Sequence, residues 1–353
     1  MKVSKNNPPT NKLGQGIEQE NLEQAITASG YPLQTIVTSL LSSKFHIQEE
    51  WSFTDPDTQE TRTIDLLAER WLYEYKEPQP RIRPTLNLII ECKQSELPYV
   101  FFLSHNKPVV PQFPVVAGLS SDEISITSDD DPSSWCFSIL DTLEINKHSF
   151  LREDPEYCST FSGCVRKGKD LELSGDKSYH GLVFPIMKAV SHFKKLETPP
   201  DTAIYFDCHL TIGLGVLDVP MVSVRVKENE NSIELIPWIR VLRHQAPLEK
   251  DSIRHRMNVF GIDVIHKDFL TAYIDNHLMP FANEFSRLAL KHQDVLANAK
   301  GFVSGMGKNS WTEIENRLEP ARIKHKAKRI RATGKRLSDL LTGRKNNNNN
   351  GLA

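Results

Sequence analysis

Leu86-Asn-Leu-Ile-Ile-Glu91-Cys-Lys93 ends an apolar run with two opposite charges, and this segment constrains the fold more than any other. Leu86 to Ile90 is apolar enough, within a stretch from Thr85 to Gln94, to predict a central strand buried on both faces. Strand side chains alternate between faces, so Glu91 and Lys93 share one face and Cys92 points to the other. Two charges in so apolar a setting are costly unless something compensates them.

The flanking sequence predicts what surrounds this strand. Ile17 to Ala28 has helix-forming composition. Ser29-Gly30-Tyr31-Pro32 breaks it and starts a second helix, with Pro32 suited to the first turn. Leu33, Ile36, Val37, Leu40 and Leu41 recur there at helical spacing, and Gln34 sits near its beginning. His46 to Thr54 reads as a strand with Trp51 and Phe53 on one face. Asp55-Pro-Asp-Thr-Gln-Glu60 is a turn, and Thr61 to Glu69 is a second strand, carrying Asp65. Pro98 to Leu103 is a further short strand.

Beyond residue 104 the signals thin. Residues 105–177 read as an insertion, with Ser120 to Ser134 an acidic surface loop. Tyr179 to Leu196 is a helix with Val183, Ile186, Met187, Val190 and Phe193 as its stripe; Pro185 marks either its first turn or a kink. Ala203 to Phe206, Val219 to Val226, Ile233 to Leu242 and Gly261 to Ile265 read as strands. Lys267 to His292 reads as a helix, and Gly213-Leu-Gly215 as a turn.

Composition sets limits on function. The 353 residues carry a net charge of −2, so any nucleic-acid surface has to be local. Five cysteines without a CxxC pair fit reduced thiols and a cytoplasmic setting better than a disulfide framework. The polar N-terminus has no leader-like character, and no apolar run approaches the ~20 residues of a membrane helix.

An acidic residue on one strand and Glu-x-Lys on the next is a layout suited to metal-assisted phosphodiester cleavage. Such chemistry needs an activated water and stabilisation of charge on the phosphate. Mg²⁺ (or Mn²⁺) supplies much of both and needs only one or two carboxylates, because it keeps several waters. Asp65 and Glu91 suit that task if their strands are neighbours, and the Cys92 backbone carbonyl offers a third ligand. Lys93 would hold the attacking water or neutralise phosphate charge.

These residues resemble the PD-(D/E)xK nuclease superfamily, whose fold is restriction-endonuclease-like. The resemblance rests on Ser29-Gly-Tyr-Pro-Leu-Gln34, Arg62-Thr-Ile-Asp65, Ile89-Ile-Glu91-Cys-Lys93-Gln94-Ser and Pro98-Tyr-Val-Phe-Phe. It implies an α/β core ordered helix, three strands, helix, strand, with a mixed central β-sheet flanked by helices. Residues 179–196 and 203–206 would supply the last two elements. It further implies a metal-dependent endonuclease acting on DNA, with Asp65 and Glu91 as metal ligands, Lys93 as catalytic lysine and Gln34 assisting. Related sequences often carry Glu at the position of Gln34, so this site departs from the pattern at one ligand. The Gln34 carbonyl can still bind a metal directly or through water, and Glu23 or Glu18 on the preceding helix offers a compensating carboxylate. The alternative is a catalytically inactive nuclease-like module that binds nucleic acid or protein.

The remaining signals are assigned by chemistry. A flexible tail is expected over 1–16, the α/β domain over 17–295, and a linker, basic helical segment and Asn-rich end over 296–353. From Arg317 to Lys345 there are eleven Lys or Arg against two acids. Arg322, Lys324, Lys326, Lys328, Arg329 and Arg331 suit phosphate contacts; an acidic protein partner is the other reading. Gly301-Phe-Val-Ser-Gly305-Met-Gly307-Lys308-Asn309 lacks the spacing and hydroxyl of a phosphate-binding loop and reads as a linker. Cys158, Cys164 and His180 lack zinc-site spacing. His192 and His209 read as structural or surface residues.

Overall fold

The computed structural model of the chain describes residues 2–55, 57–75, 77–105, 110, 113–228, 230–245, 258–307, 313–322, 334–335 and 337–338. These residues form sixteen strands. β1 (His46–Thr54), β2 (Thr61–Trp71), β3 (Ile82–Gln94) and β4 (Tyr99–Leu103) come first. β5 (Val115–Ala117), β6 (Glu123–Thr127), β7 (Ser134–Ser138), β8 (Tyr157–Lys167) and β9 (Asp170–Ser174) occupy the middle. β10 (Phe206–Asp218), β11 (Met221–Val226), β12 (Asn231–Leu235), β13 (Trp238–Gln245) and β14 (Asn258–His266) follow. β15 (Lys300–Val303) and β16 (Leu318–Pro320) come last.

Twelve strands make one mixed sheet, ordered β1-β2-β3-β10-β14-β13-β8-β4-β11-β12, with β5 on β10 and β9 on β8. A second sheet is ordered β16-β15-β6-β7. Helices flank the large sheet, which makes the protein mixed α/β. β1, β2 and β3 are an antiparallel meander. β10 lies parallel to β3 from the Phe206–Ile82 pair to the Asp218–Gln94 pair, and β14 runs parallel to β10. A parallel neighbour requires a crossover, and the helix Phe184–Leu196 lies within it.

β3 is buried on both faces, as its apolar run predicts. On one face Leu86, Leu88 and Ile90 share a core with Leu33, Val37 and Leu41 of the helix Tyr31–Leu41, and with Phe281, Phe285 and Leu288 of the helix Met279–Lys291. On the other, Ile89 packs with Ile64, Leu67 and the predicted stripe of the helix Phe184–Leu196. The result is three layers, helix on sheet on helix. The stripe of the second helix is narrower than its periodicity suggests: Ile36 and Leu40 stay substantially exposed.

Several elements depart from the sequence expectation. The strand placed at Ala203–Phe206 begins at Phe206 and continues to Asp218, so Gly213-Leu-Gly215 lies mid-strand and buried, not in a turn. Ile233–Leu242 splits into β12 and β13 around Pro237, which has no N–H to donate to a ladder. Pro185 stands in the first turn of Phe184–Leu196, after a π-helical stretch, Tyr179–Val183. Lys267–His292 is composite, with a π-helical stretch at Tyr273–Leu278. Ser120–Ser134 is only partly loop, because β6 buries Ile124 and Ile126.

Gly301 to Gly307 is likewise no linker. Gly301–Val303 belongs to β15. The backbone N–H groups of Gly305 and Gly307 donate to Asp129 and Asp130 at 2.9 Å each. Met306 N–H donates to Ser128 Oγ at 3.1 Å. The acidic loop after β6 thus supplies acceptors that this Gly-rich segment cannot find in a ladder. No described helix is long and apolar enough to cross a membrane.

Candidate active site

The meander changes character at Asp65. β1 and β2 pair at Glu49–Leu66 and again at Trp51–Ile64, but the Glu50–Asp65 pair between them is absent. Glu50 adopts φ 50°, in the left-handed region that non-glycine residues rarely enter. The β2–β3 ladder ends at Leu66–Ile90, so Asp65 and Glu91 stand one step past its last pair. Asp65 Oδ2 accepts a 2.6 Å hydrogen bond from Cys92 N–H. A side-chain carboxylate therefore takes over where the backbone ladder stops.

Glu91 and Lys93 share a face, as strand alternation requires. Glu91 Oε1 accepts from Lys93 Nζ at 2.5 Å. Glu91 is buried and Lys93 half-buried. Burial pushes the Glu91 carboxyl up to about 7, reinforced by the charge of Asp65, with Lys93 opposing. Burial also raises Asp65, the Cys92 N–H and Lys93 pull it back, and Glu50 adds like-charge repulsion. Desolvation alone would lower the Lys93 pKa; the charge and hydrogen bond of Glu91 outweigh it and raise it.

The opposite wall is glycine-lined. Gly215 pairs with Glu91 and Leu217 with Lys93 across β3 and β10. A Cβ on Gly213 would lie 2.5 Å from Ile186 Cγ2, and one on Gly215 would lie 2.9 Å from Leu182 Cδ1. Two bare positions let the π-helical turn and its following helix settle onto β10. Gly181 then comes against Lys93, whose Cε would be 3.7 Å from a Cβ added there. Tyr99, at the start of β4, is half-buried near Lys93 and bonds to Ser178.

Asp65, Glu91, Cys92 and Lys93 are therefore brought together. Gln34 joins them indirectly: it is buried, and its Nε2 donates to the Asp65 main-chain oxygen at 3.2 Å. Its amide positions the backbone of Asp65. The Cys92 thiol lies in the core on the other face, pushed well up by burial. Glu18 and Glu23 are exposed, and Glu23 accepts a hydrogen bond from Gln19 of its own helix. Glu50 is the acidic neighbour that sequence reasoning missed; in Gln48-Glu-Glu50 it reads as solvated strand surface.

The other candidates separate from this group. His209 is buried and takes a structural place: its Nδ1 lies 2.8 Å from Thr85 Oγ1 and its Nε2 3.2 Å from Glu197 Oε2. His192 packs on Trp51 and Phe53. Cys158 is buried and Cys164 partly so, both as free thiols. Arg322 is exposed, while Lys324, Lys326, Lys328, Arg329 and Arg331 lie outside the described residues. Among the described residues no group of three or more His, Cys, Asp or Glu converges to hold a metal ion. The available donors are the two carboxylates and nearby main-chain oxygens. Comparison with protein-family models, with curated proteins and with solved structures finds no match for this chain.

Proposed function

We propose that this protein is a metal-dependent endonuclease that hydrolyses DNA phosphodiester bonds on a PD-(D/E)xK, restriction-endonuclease-like core. The observation that carries the proposal is the convergence of Asp65, Glu91 and Lys93 where the β2–β3 ladder opens. The order of elements supports it: a helix, the β1-β2-β3 meander, a second helix, and β10 parallel to β3. Five free cysteines support a reducing, cytoplasmic setting.

The donor set fits Mg²⁺ or Mn²⁺. Two partly or fully buried carboxylates with one lysine leave an excess of negative charge, which a hard divalent cation with oxygen preference compensates. Asp65 and Glu91 would hold it, with the Cys92 carbonyl as a further oxygen. The ion's contribution is Lewis acidity and a lowered pKa for bound water. Water adds to phosphorus, a P–O ester bond breaks, and the departing ester oxygen takes a proton. Lys93 would neutralise the charge that develops on the phosphate, and Asp65 and Glu91 would be the residues that hold the cation. Gln34 keeps Asp65 in place through its main chain.

The test is cleavage of duplex DNA with Mg²⁺ by wild type, Lys93→Ala and Asp65→Ala. Each substitution is expected to lower the rate by roughly 10²–10⁴; equal rates for all three would sink the assignment. The second reading, an inactive nuclease-like module binding nucleic acid or protein, draws on Gln34, a neutral residue bonded to main chain. DNA binding without metal-dependent cleavage by wild type would favour it.

A further inference from the structure

The β8–β9 hairpin projects from the sheet beside the candidate site, and its outer half, Arg166 to Leu173, is exposed. Its base is tied to the site. Gly163 pairs with Tyr99 on one side and Ser174 on the other. A Cβ on Gly163 would press on Ser178 Oγ and the Tyr99 ring, and Tyr99 is the aromatic neighbour of Lys93. Cys164 N–H donates to Pro98 O at 2.9 Å, on the loop that follows Lys93. Because β8 runs antiparallel to β4, its continuation past Gly163 carries the hairpin beyond the start of β4, next to the Ser95–Pro98 loop that links Lys93 to Tyr99. From Gly163 to the turn at Gly168 the ribbon reaches roughly 15 Å.

The two faces of this ribbon differ chemically. Directly opposed residues share a face. Lys167 stands opposite Asp170, and Val165 opposite Glu172. That face sets one cation against two acids, with Lys167 Nζ 3.0 Å from Glu172 Oε1. The other face pairs Arg166 with Leu171 and Cys164 with Leu173 and carries no acid. Leu171 and Leu173 are 56% and 52% exposed. Lys169 adds a second cation at the turn, where Gly168 takes φ 65°.

We infer that this hairpin is a docking ribbon for double-stranded DNA. The inference rests on the nuclease reading and extends it to the substrate's form. A two-stranded ribbon fits the major groove of B-form DNA, whereas the deep, narrow major groove of A-form RNA excludes it. Arg166 and Lys169 meet phosphates, and the leucines lie against base edges or sugars. The overhang past the Ser95–Pro98 loop places the duplex over Lys93.

The test measures binding of the full chain, in chelator, to one sequence as duplex DNA, single-stranded DNA and duplex RNA over a salt series. Wild type binds duplex DNA best. Arg166→Ala/Lys169→Ala weakens duplex binding at least about tenfold and flattens the slope of log K against log salt by about two. Leu171→Ser weakens binding with the slope unchanged. Lys195→Ala, at the far end of the helix Phe184–Leu196, binds as wild type. All variants keep the wild-type Tm, because the hairpin's outer half supports no core. Unchanged affinity and slope in the double variant, or preference for single strands or RNA, overturns the inference. Cleavage by wild type in Mg²⁺ is scored separately: hairpin-dependent binding without cleavage removes the nuclease reading alone, and cleavage with hairpin-independent binding removes the ribbon alone.

Discussion

Asp65 and Glu91 owe their setting to one missing rung between strands. Had the ladders continued, Asp65 would have been one more residue on a solvated hairpin; with Glu50 turned out of the strand conformation, its carboxylate reaches Cys92 N–H instead. Glu91 is the residue whose protonation reports this most directly. Its native pKa of about 7 exceeds the ordinary 4.5 because burial disfavours the charged form. The unfolded chain therefore releases this proton first as pH rises. In metal-free buffer, stability is expected to decline between pH 4.5 and about 7 and then level, by on the order of 3 kcal/mol. Denaturant unfolding in chelator across that range measures it, and Glu91→Gln is expected to remove most of the decline, leaving the part due to the raised Asp65. An undiminished slope in Glu91→Gln would assign it to another group. The motif itself was legible because two opposite charges closing an apolar strand contradict the burial around them. Glu50 was not, since its departure from strand geometry leaves no mark in Gln-Glu-Glu.

At the scale of elements, close packing between the helix Phe184–Leu196 and β10 brings the preceding π-helical turn, with Gly181, against Lys93. Gly213 and Gly215 make that approach possible, and a glycine mid-strand often marks such a contact. Gly213→Ala puts a methyl against Ile186 and is expected to cost about 1–3 kcal/mol. If the protein is the nuclease proposed above, the change is also expected to reduce cleavage more than this loss of stability explains, since the displaced helix carries Gly181 away from Lys93. Thermal unfolding and cleavage rate measured on the same preparation check this; full activity at reduced Tm would show that the helix does not position Lys93. The three strands of the meander were readable to within a few residues because their alternation and turn chemistry are local. β10 was not, because two glycines look like a turn until the helix that needs them is in place.

At the scale of the whole molecule, a fully buried ion pair links segments far apart in the chain. Arg240 of β13 and Asp263 of β14 are fully buried and bonded twice, Nε to Oδ1 at 2.7 Å and Nη2 to Oδ2 at 3.0 Å. Tyr273 donates to the same carboxylate at 2.8 Å, and Arg240 Nη1 donates to Phe150 O at 3.1 Å. The ion pair thus joins the sheet, the helical layer through Asp263 and the middle segment through Arg240. Asp263→Asn leaves that cation buried without its counter-charge and is expected to destabilise the fold by about 3–5 kcal/mol. Chemical denaturation measures the loss; a change within about 0.5 kcal/mol would mean the pair is solvated in practice. By itself the amino-acid order determined the local part of this protein: the buried character of β3, the shared face of Glu91 and Lys93, the helix before the meander and the stripe of Phe184–Leu196. Each follows from side-chain spacing within one segment. Only the tertiary structure decided that β10 lies beside β3, that Asp65 reaches Cys92, that Gln34 bonds main chain and that Arg240 meets Asp263. These contacts join segments far apart in sequence, and their energies exist only once the chain has closed on itself.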